Sequence, residues 1–303
     1  MREICDKNRC TGCSACLNSC PKKCITMKED EYGVLIPYID EDKCINCNIC
    51  RKVCPENNEI DLKEPLKVYA AWSLDEKIRK KSSSGGIAWE MYKYIIEHGG
   101  IAVGTKFDNE MNLSHQIATN MNELEGFRGS KYIQSSIGTI FTQIKPYVEQ
   151  NKNVIFIGTP CQVNGLKSFF KNKEIENIIN VDLICHGVPP VKYLKEYIKY
   201  LKLNNKIDNI TFRGENNWHF TGYKKGKIIY KKHNKEDFFY KSFLNGLFYR
   251  ENCYKCRYAR KERVGDITIG DFWGLGDDIP FNHPTEDRNI SNISKHRKRT
   301  KIF

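Results

Sequence analysis

Fourteen cysteines stand in a chain of 303 residues, and the spacing of eight of them suits metal. Cys10, Cys13, Cys16 and Cys20 read C-x2-C-x2-C-x3-C, with Pro21 next. Cys44, Cys47, Cys50 and Cys54 repeat the run, with Pro55 next. This is the spacing that holds two 4Fe–4S clusters. Three thiolates at intervals of three wrap a tight loop around one corner of a cubane, and the loop's N–H groups offset the cluster's negative charge. The fourth cysteine sits on a following helical turn and faces the other way. One ligand set is therefore Cys10, Cys13, Cys16 and Cys54, and the other is Cys44, Cys47, Cys50 and Cys20. A pair of zinc sites is the competing reading, but zinc prefers two separated C-x2-C pairs in a tetrahedral site. Cys5 and Cys24 fall outside the pattern and read as small buried hydrophobes.

Four further cysteines lie far apart. Cys161 sits in "FIGTPCQVNGLKSF", where an apolar run opens into a helix pattern. Cys185 ends another apolar run in "VDLICHGVPP", and Cys253 and Cys256 form a C-x2-C pair in "ENCYKCRYA". Ligands gather at strand carboxyl ends in open α/β sheets. Two thiols there plus the pair could close a third 4Fe–4S cluster, with Lys255 and Arg257 offsetting its charge. A zinc site, or a thiol nucleophile at Cys161 with His186, stays open on the residues alone.

These thiols need two kinds of scaffold. Between the two cysteine runs, "ITMKEDEYGVLIPYI" reads as a hairpin with Gly33 at its turn. It completes a pseudo-symmetric, ferredoxin-like module over residues 1–60, and a polar linker follows at 61–67. From residue 68 the pattern changes. "GGIAWEMYKYIIEHGG" and "PPVKYLKEYIKYLKLN" read as helices, and "FFYKSFLNGLF" is helical too. "IAVGTKF", "NVIFIG", "NIINVDLIC", "DNITFRG" and "GKIIYKK" read as strands. The predicted class is α+β: a small ferredoxin-like domain, then a larger α/β domain over 68–275. Residues 276–303 read as a basic, disordered tail, carrying Lys295, Arg297, Lys298, Arg299 and Lys301.

Composition bounds the rest. Hydrophobic residues make up 40% of the chain and aromatics 12%, which excludes a disordered chain. No apolar run approaches the ~18–20 residues of a membrane span. The start "MREICDKNRC" lacks the apolar centre of a signal peptide. The expected location is the cytoplasm, where thiols stay reduced, so the cysteines point to metal or catalysis and not to disulfides. The formal net charge of +12 would attract nucleic acid or an acidic protein. Lys, Asn and Ile abound throughout, however, so the charge reads as a general bias and nucleic acid is not the expected partner.

The stretch from Val68 to about Gly274 resembles the coenzyme F420 hydrogenase/dehydrogenase beta-subunit family. The stretches that carry this are "SSSGG", "GSKYIQSSIG", "FIGTPCQVNGLKSF", "ICHG" and "CYKCRYA…DITIGDFWG", in that order. The resemblance implies an iron–sulfur flavoprotein that binds FAD and passes electrons between iron–sulfur centres and an organic acceptor. It implies FAD contacts at Ser82, Ser83, Ser84, Gly85 and Gly86, and at Gly129, Ser130, Lys131, Tyr132 and Gln134. Serines and glycines before a helix offer N–H groups and hydroxyls to an anion, and Lys131 adds a point charge. An ordinary serine cap with turn glycines is the competing reading. Family members continue past "DFWG", so the tail from 276 reads as a truncated C-terminus.

The expected function is an iron–sulfur flavoprotein oxidoreductase. Electrons would pass from the ferredoxin-type clusters through a third cluster to FAD and a small organic substrate. The alternative is an electron-carrier subunit that feeds a partner enzyme and has no substrate site of its own. The expected protein partner is a ferredoxin or another oxidoreductase subunit. A flavin spectrum separates the two readings. A third class, an iron–sulfur protein that binds nucleic acid, would show polyanion affinity with a steep salt dependence.

Overall fold

Ile25–Glu29 (β1) and Leu35–Ile39 (β2) pair antiparallel, with Ile25 opposite Ile39, in the hairpin that the pattern predicts. The computed structural model describes residues 3–173, 175–213, 218–275, 280 and 291–295. A cysteine loop flanks the hairpin on each side, and the two loops repeat each other. Gly12 and Asn46 take φ of 68° and 57°, and Ser14 and Asn48 take 57° and 58°. Each loop then enters one helical turn, Ala15–Asn18 or Ile49–Lys52. Left-handed backbone costs roughly 1–2 kcal/mol for most residues, and Gly and Asn bear it best. Three of the four positions have those residue types. Ile4, Ile25 and Ile39 pack with Cys16, Cys24 and Cys54 as the small core.

The rest of the chain builds around a seven-stranded sheet. Its first strands are Lys67–Ala71 (β3), Ile101–Phe107 (β4), Leu113–Ala118 (β5), Val154–Gly158 (β6) and Ile178–Leu183 (β7). Asn209–Thr211 (β8), His219–Lys224 (β9) and Lys227–His233 (β10) form a separate antiparallel sheet. Ile267–Asp271 (β11) and Ser291–Lys295 (β12) return to the large one, whose order is β3-β12-β11-β7-β6-β4-β5. Strands β4, β6, β7 and β11 run parallel, and β5 and β12 are antiparallel to their neighbours.

The central strands are continuous apolar runs because both faces are covered. Successive side chains alternate between those faces. Ile155, Ile157, Ile179 and Val181 meet the helix Ile87–Glu97. Val154, Phe156 and Ile178 meet the helices Ile140–Glu149 and Pro160–Phe169. A third, aromatic core gathers Phe212, Phe220, Phe239 and Tyr240 between the small sheet and the helices Val191–Tyr200 and Phe238–Leu244. The architecture is α+β: a small ferredoxin-like module and a larger mixed-sheet domain.

The expectation of a disordered tail is overturned at Ser291–Lys295. These residues pair antiparallel with both β3 and β11 and complete the sheet between them. The reason is that a strand filling a gap needs only backbone N–H and C=O groups to pair. "SNISK" has no apolar periodicity to announce that, although Ile293 packs against the core beside β11. Arg297, Lys298, Arg299 and Lys301 lie outside the described residues. Among the described residues, no helix is long and apolar enough to cross a membrane.

Candidate metal centres

The two cysteine loops each close on a cavity. One is lined by Cys10, Cys13, Cys16 and Cys54, with Cys5 and Ser14 beside them. The other is lined by Cys20, Cys44, Cys47 and Cys50, with Cys24 beside them. The fourth cysteine of each run thus crosses to the other loop, which is the grouping the spacing argument assigns. Burial pushes the Cys13 thiol up to about 12, and Cys54 and Cys10 add to it. Burial also raises Cys16. Thiols so placed give up their protons when a cationic metal core takes the charge. Ser14 Oγ is buried with no hydrogen-bond partner among the described residues, and a sulfur acceptor in the cavity would satisfy it. The donor set and this orphaned hydroxyl fit a 4Fe–4S cluster. Among the described residues, no three His, Cys, Asp or Glu side chains converge on a point for one ion. The thiols ring cavities instead.

The two sets differ in exposure. Cys10, Cys13, Cys16 and Cys54 are buried, whereas Cys47 is exposed and Cys20, Cys44 and Cys50 are half-buried. Cys5 and Cys24 have more than a filling role. Cys24 Sγ lies 3.4 Å from Cys20 Sγ, and the Cys5 thiol is the first cause that holds Cys10 down at about 7.

The four scattered cysteines come together from three stretches of chain. Cys161 Sγ lies 3.2 Å from Thr159 Oγ1 in the first turn of Pro160–Phe169. Burial pushes Cys161 up to about 12, and Cys253 and Cys256 repel its thiolate further. Crowding by protein likewise raises Cys185, with Cys161, Cys253 and Cys256 adding to it, although that residue keeps solvent-exposed surface. The four thiols thus stand within electrostatic reach of one another. In His186, the other candidate partner of Cys161, Nδ1 bonds the Tyr249 hydroxyl. Lys255 pairs with Glu251 at 3.5 Å on the surface, so it does not serve the pair of thiols as the sequence suggests.

Contacts that no spacing announces join the first cavity to this third set. The helix Pro160–Phe169 lies against the first cysteine loop so closely that a Cβ on Gly165 would stand 2.7 Å from Cys13 Cβ. Arg250 donates to Thr11 O at 2.7 Å and Cys10 O at 2.8 Å. Arg257 donates to Pro55 O at 3.0 Å and Asn58 O at 2.9 Å, docking the module instead of flanking the thiol pair. Asn18 Nδ2 donates to Gly138 O at 2.8 Å, and Asn18 Oδ1 accepts from Thr142 N at 3.0 Å.

The two stretches expected at a flavin meet each other. Ser83 Oγ accepts from Ser130 N at 2.7 Å. Ser82 Oγ turns back to Ile78 O at 2.7 Å, and Gly85 O accepts from Ser73 N at 2.6 Å. Gly86, not a serine, caps Ile87–Glu97, with φ 84°. Lys131 Nζ donates to the carbonyls of Phe127, Arg128 and Gly129 at 3.0, 2.8 and 3.1 Å. Its three donors thus hold its own loop. Burial draws its pKa down to about 7, while those carbonyls favour the charged form. Tyr132 stacks on Phe243 at 4.4 Å in the aromatic core. Gln134 is buried, and its amide nitrogen would stand 2.6 Å from a Cβ on Gly12. Beside Gly129 opens a cleft of about 430 Å³, lined by Lys81, Lys106, Arg128, Ser130, Lys131 and Arg213, with Asp108 and Asp208. Arg128 stacks over Trp89 at 3.3 Å, pairs with Glu125 at 2.9 Å and leaves Nη1 buried with no partner among the described residues.

Comparison with known proteins agrees with this arrangement. Residues 9–58 match the 4Fe–4S dicluster domain, and a second dicluster description overlaps it at 36–95. Residues 68–141 match the N-terminal part of the coenzyme F420 hydrogenase/dehydrogenase beta subunit, and residues 151–294 match its C-terminal part. No curated protein gives a significant match. Among solved structures, a chain of the F420-reducing NiFe hydrogenase complex from Methanosarcina barkeri superposes with a TM-score of 0.51 at 18% identity. The superposition covers 80% of this chain and 79% of that one, and so supports the fold. This chain belongs to the coenzyme F420 hydrogenase/dehydrogenase beta-subunit family, with a 4Fe–4S dicluster module at its front.

Proposed function

We propose that this chain is an electron-carrying subunit that relays single electrons through three 4Fe–4S clusters to a partner oxidoreductase. The observation that carries the reading is the apposition of the buried loop at Cys13 and Gly165, on the helix Pro160–Phe169 that carries Cys161 in its first turn. Bound in the three thiol sets, such clusters supply one-electron carriers whose potentials the surrounding charges and hydrogen bonds adjust. The chain's own residues order the route. The outer set, with exposed Cys47, faces solvent and a protein donor. The inner set, with four buried cysteines, sits between module and body. Cys161, Cys185, Cys253 and Cys256 stand beyond it. Ile25, Ile39, Ile45 and Ile49 line the outer cavity.

The test is iron and sulfide analysis after purification without oxygen. About twelve irons per chain are expected, and about eight would remove the third cluster. Stoichiometric zinc would overturn the reading.

A second reading adds FAD and a substrate site. The basic cleft favours it, because ligand sites run to roughly 300–1,000 Å³ and an Arg128 nitrogen with no partner among the described residues suits an anion. Ser83, Ser130, Arg128 and Lys81 would hold the pyrophosphate, and the reducible ring would supply two-electron chemistry. Gly85→Asp places a carboxylate in that turn, so flavin would be lost while iron stays. Protein that carries no flavin and takes up none leaves the carrier role alone.

A further inference from the structure

Arg250 is 2% exposed and touches two cysteine sets from separate parts of the chain. Its guanidinium donates to Cys10 O and Thr11 O at 2.8 and 2.7 Å, inside the loop of the inner set. Its backbone belongs to the third set's surroundings. Arg250 N donates to Val188 O at 3.1 Å, three residues after Cys185, and Arg250 O accepts from Cys253 N at 2.9 Å. Nε is buried with no partner among the described residues, so one donor of the fork is still available to a sulfur. The charge thus sits at the backbone of Cys10, on a residue whose own carbonyl is bonded to Cys253 N. Only arginine offers five donors in a rigid fork that spans two carbonyls and keeps a permanent charge.

We infer that Arg250 couples the inner cluster to the third: its side chain fixes the two loops against each other, and its buried charge raises both reduction potentials. This rests on the three-cluster reading above. A cation beside a cluster stabilises the form that has gained an electron, and burial leaves it little screened. One residue thereby brings neighbouring carriers to similar potentials, while the solvent-facing outer cluster lies beyond its contacts.

The experiment compares full-length Arg250→Gln and Arg250→Lys with the wild type, purified without oxygen. Iron analysis and electron paramagnetic resonance during a potentiometric titration are the readouts. In the Gln variant the reduction equilibrium constants of the inner and third clusters should each fall at least tenfold, which is 59 mV for one electron. The outer cluster should not shift. In the Lys variant both constants should stay within about threefold of wild type, because the charge remains. The linker at 61–67 should meanwhile become easier to cleave, because the fork is gone. A Gln variant with full iron and unshifted potentials overturns the inference, and so does a Lys variant that reproduces the Gln shift. Should the Gln variant fail to assemble, the Lys potentials decide. Wild-type protein with about eight irons fails the three-cluster reading itself, whereas unchanged potentials at about twelve irons fail this inference alone.

Discussion

Gly165 shows what single residues decide here. Any side chain at this position would meet Cys13 Cβ at 2.7 Å and Sγ at 3.0 Å. Gly165→Ala would ordinarily gain roughly 0.5–1 kcal/mol in a helix. Here the added methyl must push the helix off a loop that it clasps, and overpacking of that kind costs typically 1–3 kcal/mol. The expected result is lower thermal stability together with loss of about four irons per chain, read by calorimetry and iron analysis. An Ala variant as stable as wild type and fully loaded with iron would show that the contact is slack. The dicluster module was legible in the sequence because a cubane imposes a local spacing, and local spacing survives in one dimension. Gly165 and Arg250 were not legible. Their roles come from a helix and a loop meeting across more than a hundred residues of chain, and no spacing rule reports that. Lys131 misled for the opposite reason. Its charge suggested a phosphate, but the fold turned all three of its donors onto carbonyls of its own loop.

At the scale of elements, β5 carries a histidine that makes the sheet edge sensitive to pH. His115 is 3% exposed and stacks on Phe156 with ring centroids 5.1 Å apart. Neither ring nitrogen meets a partner of good geometry among the described residues. Burial draws its pKa down from 6.5 to about 4, and nearby backbone at Ile157 and Ser136 offsets only part of that. Between these two values the unfolded chain binds more protons than the folded one, so stability falls as pH drops from about 6.5 toward 4. At 1.36 kcal/mol per unit, the full excursion amounts to about 3 kcal/mol. His115→Phe should flatten that acid slope, measured as the difference in melting temperature between variant and wild type over pH 5 to 7.5. Parallel slopes for the two proteins would refute it. The core strands β4, β6 and β7 were legible as apolar runs, since a strand covered on both faces needs no polar alternation. β5 and β12 escaped notice. One alternates polar and apolar residues around a buried histidine, and the other is polar with a single isoleucine in the core.

At the scale of the whole molecule, burial and charge would give the proposed relay a direction. The inner thiols are sealed between module and body, so the outer set is where a protein donor can approach. Around it Lys22, Lys23, Lys43, Arg51 and Lys52 are exposed, against Glu41 and Asp42. Ile45 and Ile49, 56% and 37% exposed, form an apolar centre beside Cys47. An acidic carrier protein fits a rim of that kind. Opposite charges steer encounter and set the association rate more than they set final affinity, and salt screens them over a Debye length of about 10 Å at 0.1 M. Reduction by such a carrier should therefore slow as salt rises. Reversing two cations with Lys22→Glu and Lys52→Glu should lower the second-order rate at low salt by roughly tenfold, within the range that steering supplies. Both side chains are exposed, so iron content and reduction by dithionite should stay at wild-type levels. Stopped-flow kinetics with an acidic ferredoxin as donor reads the first effect, and the dithionite control separates it from damage to the clusters. If the double variant accepts electrons as fast as wild type at low salt, the donor docks on another face. The exposure of Cys47 would then be a consequence of the small module's shape, not the site where electrons arrive.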